Sequence, residues 1–320
     1  MKNVIIASFS ILIALFILQR CTTATGKSDS QLVDMMKAKR DSALKLLKPV
    51  LANENLIITS KEDLIGNWTG YLSFSDTTKG SDNSEGEWDM ICIRIDSISA
   101  DSAFGCSIYR GQSHPLTGKY EELAGVYFFD LKHQTKGPYN GEYQLSISSQ
   151  KDNIVGLWIP NNAMLHTYDD GFNLKKRVFK YDPINQPVDT TVYVDWKKFK
   201  VDSVSYYDED EKKDIFYEEE MYLSTTEMIY SKNASIELLD KSFVENLTKA
   251  DIFIIRNSIY ARHGYAFEYP SLTAFFGEFD WYVPISTDIT ASLTDIELKN
   301  IEILLRYEDY AKEYYDAFGR

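Results

Sequence analysis

The amino-acid sequence predicts an α+β chain of several domains, an antiparallel β-barrel-like domain followed by a small helical one. Three observations carry this. From Leu64 to Asp182 the chain is a series of short runs rich in branched and aromatic residues, separated by Gly, Asp, Asn, Ser or Pro. From Lys232 onward the apolar spacing becomes helical, with two capping signatures. Apolar residues make up 44% of a 320-residue chain, enough for separate cores in two ordinary domains.

The amino terminus comes first. Lys2 supplies a positive start, and Val4 to Leu18 is an apolar run broken only by Ser8 and Ser10. That suits a signal-peptide core and is short for a membrane-spanning helix. Cys21 follows Leu18-Gln19-Arg20. The layout resembles a bacterial lipoprotein signal, in which the cysteine becomes the lipidated first residue of the mature chain and Leu18 takes the expected place before it. Arg20 departs from the pattern, since a small residue is usual there. Ordinary cleavage after Thr22-Thr23-Ala24 and an uncleaved anchor are the alternatives. The resemblance implies a signal peptide over 1–20, lipidation at Cys21 and export, with the chain held to a bacterial membrane by its lipid on the periplasmic or cell-surface face. Losing residues 1–20 removes Lys2 and Arg20 and takes the net charge from −14 to −16. Acids outnumber bases by 48 to 34, so the chain repels phosphate backbones, and nucleic acid is not an expected partner.

Residues 21–30 read as a polar tether, followed by an amino-terminal helix and connector over 31–63. Leu32, Met35, Met36, Ala43, Leu46, Leu47 and Val50 recur at helical spacing, with Asp29 or Ser30 as cap and Pro49 limiting the far end. The stripe is too short for a coiled coil and suits packing on the next domain.

Residues 64–182 hold the strand runs "LIGNWTGYLSF", "WDMICIRID", "SAFGCSIYR", "GVYFFDLKH", "GEYQLSIS", "NIVGLWIP" and "FNLKKRVFKYD". Their number and spacing predict an antiparallel barrel or sandwich. Gly66-Asn67-Trp68 resembles the Gly-x-Trp start of lipocalin-like barrels, where a glycine lets the strand enter close under the floor and the indole seals it. A barrel of this size is filled by its own side chains or, alternatively, encloses a small apolar ligand. Ile91, Ile93 and Ile95 read as the buried side of one run, and Phe104, Cys106 and Ile108 as that of the next. Cys92 and Cys106 are the candidate disulfide once Cys21 carries lipid, although this facing points one cysteine out and the other in.

Residues 183–231 read as an acidic connector with one or two strands in "TTVYVDWKKFKVDSVSYY". Asp208 to Glu220 carries eight acids and two lysines. Clustered carboxylates suit calcium, but the regular Asp/Asn-Gly loop spacing is missing, so the run reads as solvated and no metal site is assigned.

In the final unit, 232–320, Thr248-Lys249-Ala250-Asp251 has the form of a helix start. Ile252, Ile255 and Ile259 share one face, His263 falls in the last turn, Gly264 supplies a left-handed stop, and Tyr265 can fold back onto the helix. Pro270 marks a short helix ending near Gly277. Thr294-Asp295-Ile296-Glu297 is a second capping box, opening a helix whose Ile296, Ile303, Leu304, Tyr307 and Tyr314 are spaced for burial. "RNSIYARHGYAF", "FFGEFDWY" and "LTDIELKNIEILLRYE" together resemble the YARHG domain, a module of exported bacterial proteins named for Tyr260-Ala261-Arg262-His263-Gly264. Ser258 departs from the family, which usually has glutamate there. The resemblance implies an extracellular location and engagement of the cell envelope, with no activity to carry over.

Arg262 and His263 are either a reactive pair or the closing turn of a helix. A catalytic histidine needs an orienting carboxylate and a nucleophile, or further metal ligands. No His-Glu-x-x-His, Gly-x-Ser-x-Gly, phosphate loop or Cys-x-x-Cys occurs, and His114, His133 and His166 share no spacing with His263. The helix-stop reading explains more residues, with Arg256 and Arg262 pairing with acids such as Asp251, Glu268 or Glu297 and with Asn257, Trp281 and Tyr282 as framework. If the motif does bind, Arg262, His263, Tyr260, Trp281 and Tyr282 would hold an anionic or sugar-containing ligand by guanidinium contacts and ring stacking. The function expected is a non-catalytic binding or structural component of the envelope, engaging cell-wall glycan or an envelope protein without a cofactor. An apolar-ligand carrier and an envelope hydrolase using His263 are the alternatives.

Overall fold

The computed structural model describes residues 60–73, 90–135, 140–148, 153–161, 171–188 and 192–314. The signal segment, Cys21, the tether, the helix expected from Leu32, and His166 lie outside them.

Eight antiparallel strands close into a barrel: β1 Gly66–Ser73, β2 Met90–Ile98, β3 Ser102–Tyr109, β4 Gln112–Leu123, β5 Val126–His133, β6 Gly141–Ser148, β7 Asn153–Pro160 and β8 Gly171–Arg177. Each pairs with its sequence neighbour, and β8 returns to β1. Closure leaves no strand edge to manage. Strand β4 is the one the sequence hid. Pro115 and the charged Lys119, Glu121 and Glu122 make it read as a loop, yet it pairs with β3 and β5 along its length.

A single 3₁₀ turn, Lys61–Leu64, closes one end. The Trp68 indole donates to the Leu64 carbonyl at 2.9 Å, and the Lys176 ammonium lies over its ring at 5.8 Å. Gly66 has φ +125°, a conformation that L side chains rarely adopt, so the glycine is required where the chain turns from the floor into β1. Inside, Trp68, Ile93, Tyr127, Phe129, Leu145 and Leu174 belong to one buried apolar cluster. These side chains pack on one another in the barrel interior.

The facing of β3 differs from the expectation. Ala103 joins the interior cluster, while Phe104 is 44% exposed on the opposite face, so Cys106 and Ile108 lie outside the barrel with Cys92. Register pairs Cys92 with Ile108 and Arg94 with Cys106. The two cysteines are therefore diagonal neighbours, roughly 7–8 Å apart at Cα by sheet geometry, too far for a bridge without backbone movement. Both are buried free thiols, covered by Ala266 of the helical module, and the expected disulfide is corrected accordingly.

Strands β9 Val194–Asp208 and β10 Lys213–Ser224 form a separate ribbon. The acidic run holds a turn and a returning strand. Asp208 builds the turn by accepting from the amides of Asp210 and Glu211 at 2.9 and 3.0 Å. The helical module contains α1 Lys241–Val244, α2 Lys249–Arg262, α3 Pro270–Gly277 and α4 Asp295–Tyr314, with α2 packed on α4. In α4, Ile301 and Leu304 are buried and Ile303 and Tyr307 are half-buried. Ile296 is 36% exposed, and its expected core place is taken by Glu297, which is 0% exposed.

The module meets the barrel through Ala266 against Cys92, Cys106 and Ile108, and through Arg177, which donates to the Asp280 carbonyl at 3.0 Å. The accompanying ion pair is with a fully exposed Asp280 carboxylate and is screened by solvent, so it adds little to this junction.

Candidate functional site

Helix α2 positions the motif. Thr248 caps its start, accepting from the Asp251 amide at 3.2 Å while Asp251 accepts from the Thr248 amide at 3.1 Å. Asp251 is fully buried and also takes the amide and hydroxyl of Thr226 at 2.7 and 2.9 Å. One carboxylate thus fixes both the helix start and the chain leaving β10.

The other end closes by a Schellman motif. The Gly264 amide donates to Ala261 O at 2.9 Å and the Tyr265 amide to Tyr260 O at 3.1 Å. Gly264 has φ +72°, and the Tyr265 ring returns to Tyr260 at 6.1 Å. The Gly264 carbonyl then accepts from the amides of Ile285 and Ser286 at 2.8 and 3.0 Å, tying the stop to the loop before α4.

Around this stop lies a buried polar network. His263 Nε2 is 2.8 Å from Glu297 Oε2, and the same oxygen accepts from the Thr294 amide and hydroxyl at 2.9 and 3.0 Å. Tyr181 donates to Glu297 Oε1 at 3.2 Å and stacks on the imidazole, with ring centroids 4.3 Å apart. Burial alone would raise the Glu297 pKa, but hydrogen bonds from His263, the Thr294 amide and Ser235 outweigh it and hold the carboxyl down at about 2. An ionised carboxylate only accepts, so Nε2 of His263 carries a proton.

Arg262 is 3% exposed. Its Nε donates to the Asn185 carbonyl and its Nη1 to Ser235 Oγ at 3.2 Å. Burial lowers its pKa to about 10, with Glu297 and Tyr181 pulling it back up, and the guanidinium stays charged at neutral pH. Arg256, by contrast, pairs with Glu308 at 2.9 Å, an acid outside those expected for it.

Four of these partners come from residues 179–186, an irregular strap that leaves β8 and crosses the module. Tyr181 stacks on His263, and the carbonyls of Pro183, Asn185 and Gln186 accept from Asn233, Arg262 and Trp281. The sequence reads as strand up to Asp182, but β8 stops at Arg177 and the chain leaves the sheet there, so the first part of the strap reads as the end of a strand. Its one signal was the aromatic spacing of Phe179 and Tyr181.

The five residues expected to hold a ligand are therefore mostly spent inside the protein. His263 is 6% exposed, and Tyr282 is buried with its hydroxyl donating to Tyr265 O at 2.9 Å. Tyr260 and Trp281 are half-buried, and Trp281 stacks on Phe279 at 5.6 Å. Ser258 is buried and donates to Ile254 O at 2.8 Å. Residues 226–309 match the family model of the YARHG domain. The helical module is a YARHG domain. Its match opens at Thr226, the residue that binds Asp251, and spans about a quarter of the chain. YARHG domains are found in secreted or envelope proteins, in agreement with export. Neither curated proteins nor solved structures gave a match to the chain.

His263 and Glu297 do form the carboxylate–imidazole half of a triad. The pair is buried, with His263 6% exposed and Tyr181 stacked on one face of the ring. A serine–histidine contact also exists in the barrel, where Ser107 Oγ and His133 Nε2 are 2.9 Å apart. Its polarity is wrong for a general base. The Gly141 amide donates to Nδ1 at 2.9 Å, so the neutral ring keeps its proton on Nε2 and donates to the serine.

Burial, with a smaller contribution from His114, pushes the His133 pKa down to about 4. The unfolded chain, at about 6.5, therefore binds this proton first. The stability this neutral ring contributes is fully present above pH 6.5 and is lost as pH falls from there towards 4. Thermal melts of the full chain across that range are expected to show the loss, and His133→Asn to flatten it.

Proposed function

We propose that the chain is a non-catalytic lipoprotein of the cell envelope with a binding or structural role, anchored through Cys21. Peptidoglycan or another surface ligand would be engaged by surfaces outside the YARHG motif. The observation that carries this reading is the burial of Arg262 and His263 on internal partners. The motif then serves as a clasp that closes α2 and holds the strap from the barrel, while the outer faces remain for a ligand. The match to a family of secreted or envelope proteins supports the location, and the apolar run before Cys21 supports the anchor.

Co-sedimentation of the chain with purified peptidoglycan tests the reading, with soluble glycan fragments assayed in the supernatant. Chain in the pellet and no fragment release is the expected result. Release by the wild-type chain and not by His263→Gln would replace it with the hydrolase reading. A chain that stays in the supernatant would remove peptidoglycan as the ligand.

A further inference from the structure

Among the described residues, β9 and β10 have only each other as strand neighbours. A two-stranded hairpin is marginally stable in water unless a further strand or a helix packs on it. In an antiparallel pair, residues directly opposite share a face and alternate residues return to it. One face of this ribbon therefore runs from the pair Phe199 and Tyr222 to the pair Tyr207 and Asp214, with Ser203 opposite Glu218 at its centre. The Phe199 and Tyr222 rings meet on it, 5.6 Å apart at their centroids. Lys200, Asp202 and Glu219 belong to the other face.

The first face has a definite order. It is apolar at both ends, where Phe199 and Val201 are exposed on one side and Phe216 and Tyr207 on the other. Its middle is acidic, with Glu218 and Glu220 two residues apart on β10 and Glu220 accepting from the Tyr222 hydroxyl. No lysine or arginine occurs on it between the two end pairs.

A segment of the opposite character precedes the barrel. Residues 31–50 hold five bases against two acids, in a chain whose net charge is −14. Their apolar stripe is also divided, with Leu32, Met35 and Met36 before Lys39 and Arg40, and Ala43, Leu46, Leu47 and Val50 after them. As the helix its spacing predicts, Leu32 to Val50 measures about 27 Å. Phe199 to Tyr207, as a strand, measures about 27 Å as well. Order and length therefore agree, apolar ends over apolar ends and a basic centre over an acidic one. Residues 51–59 join this segment to Ser60, a leash of about 30 Å.

We propose that residues 31–50 pack as an amphipathic helix along this face of the ribbon in the same chain, with Lys39 and Arg40 at Glu218 and Glu220. The helix covers the exposed rings and gives the hairpin the second layer it otherwise lacks. Charge selects this occupant. A second copy of the ribbon laid on the same face would set acid against acid at the centre, and an anionic membrane surface would be repelled.

Cysteine pairs in the full chain test the contact, with linked peptides read by mass spectrometry. On mild oxidation, Arg40→Cys with Glu218→Cys is expected to give about tenfold more intramolecular disulfide than Arg40→Cys with Glu219→Cys, whose second thiol lies on the opposite face. Hydrogen exchange supplies a measurement without cross-linking. Glu218→Lys is expected to speed exchange of the amides of residues 199–207 about fivefold, and Arg40→Glu in the same chain to restore most of the protection. Absent or equal yields from the two cysteine pairs overturn the proposal. So does a linkage found only between chains, or a Glu218→Lys effect that Arg40→Glu does not reverse.

Discussion

Replacing Glu297 with Ala is expected to destabilise the YARHG domain by about 3–5 kcal/mol, the cost typical of removing one partner from a buried ionic pair. The carboxylate is wholly buried and receives His263, Thr294 twice and Tyr181, so its loss leaves those donors without an acceptor and the buried Arg262 without its nearest countercharge. Glu297→Gln keeps an acceptor of the same shape and is expected to cost less. Urea unfolding followed by tryptophan fluorescence reads the difference in midpoint. The pH dependence has a defined sign. The Glu297 pKa falls from about 4.5 in the unfolded chain to about 2 in the folded one. The stability it contributes is therefore present above pH 4.5 and is lost as pH drops through 2. Glu297→Gln is expected to flatten the profile in that window, separately from the His133 range above it.

Gly264→Ala is expected to cost about 2–5 kcal/mol, from two causes that add. An L residue at φ +72° sits in the left-handed region, at roughly 1–2 kcal/mol. The added Cβ would also lie 2.8 Å from Ile285 Cγ1, 2.8 Å from the Val283 carbonyl and 2.9 Å from Phe179 Cε2. Overpacking of this kind adds about 1–3 kcal/mol, and the Val283 oxygen is backbone and yields little. Gly264→Asn separates the causes. Asparagine tolerates the left-handed conformation, so a variant that remains strongly destabilised identifies the crowding as dominant. The same unfolding assay measures both variants, and a cost for Gly264→Ala near zero would contradict the packing described here.

The barrel and the helical module were legible because each repeats a pattern over many residues. Alternating runs such as Ile91-Cys92-Ile93 define strands, and the Thr248 and Thr294 capping boxes define helix starts. Single residues were less legible where one side chain could serve two environments. Phe104 reads as core and faces out, because the small Ala103, Gly105 and Ser107 on the other side of β3 show no apolar signal. Glu297 reads as a helix cap and as one of several acids open to Arg256 or Arg262, and it is buried because His263 and Tyr181, both distant in sequence, join Thr294 on its two oxygens. Nothing in its local spacing records Tyr181 or His263 as neighbours. The strap escaped notice for the same reason, as its contacts run through backbone carbonyls that any sequence provides.

The central claim is that the motif's arginine and histidine are internal fastenings of the fold. Diethylpyrocarbonate modification of the native full chain, read by mass spectrometry at each histidine, tests it most directly, because the partly exposed His114 serves as a standard in the same molecule. The account predicts that His114 is modified while His263 stays protected until the domain unfolds. Modification of His263 at the rate of His114 in the folded protein would contradict it.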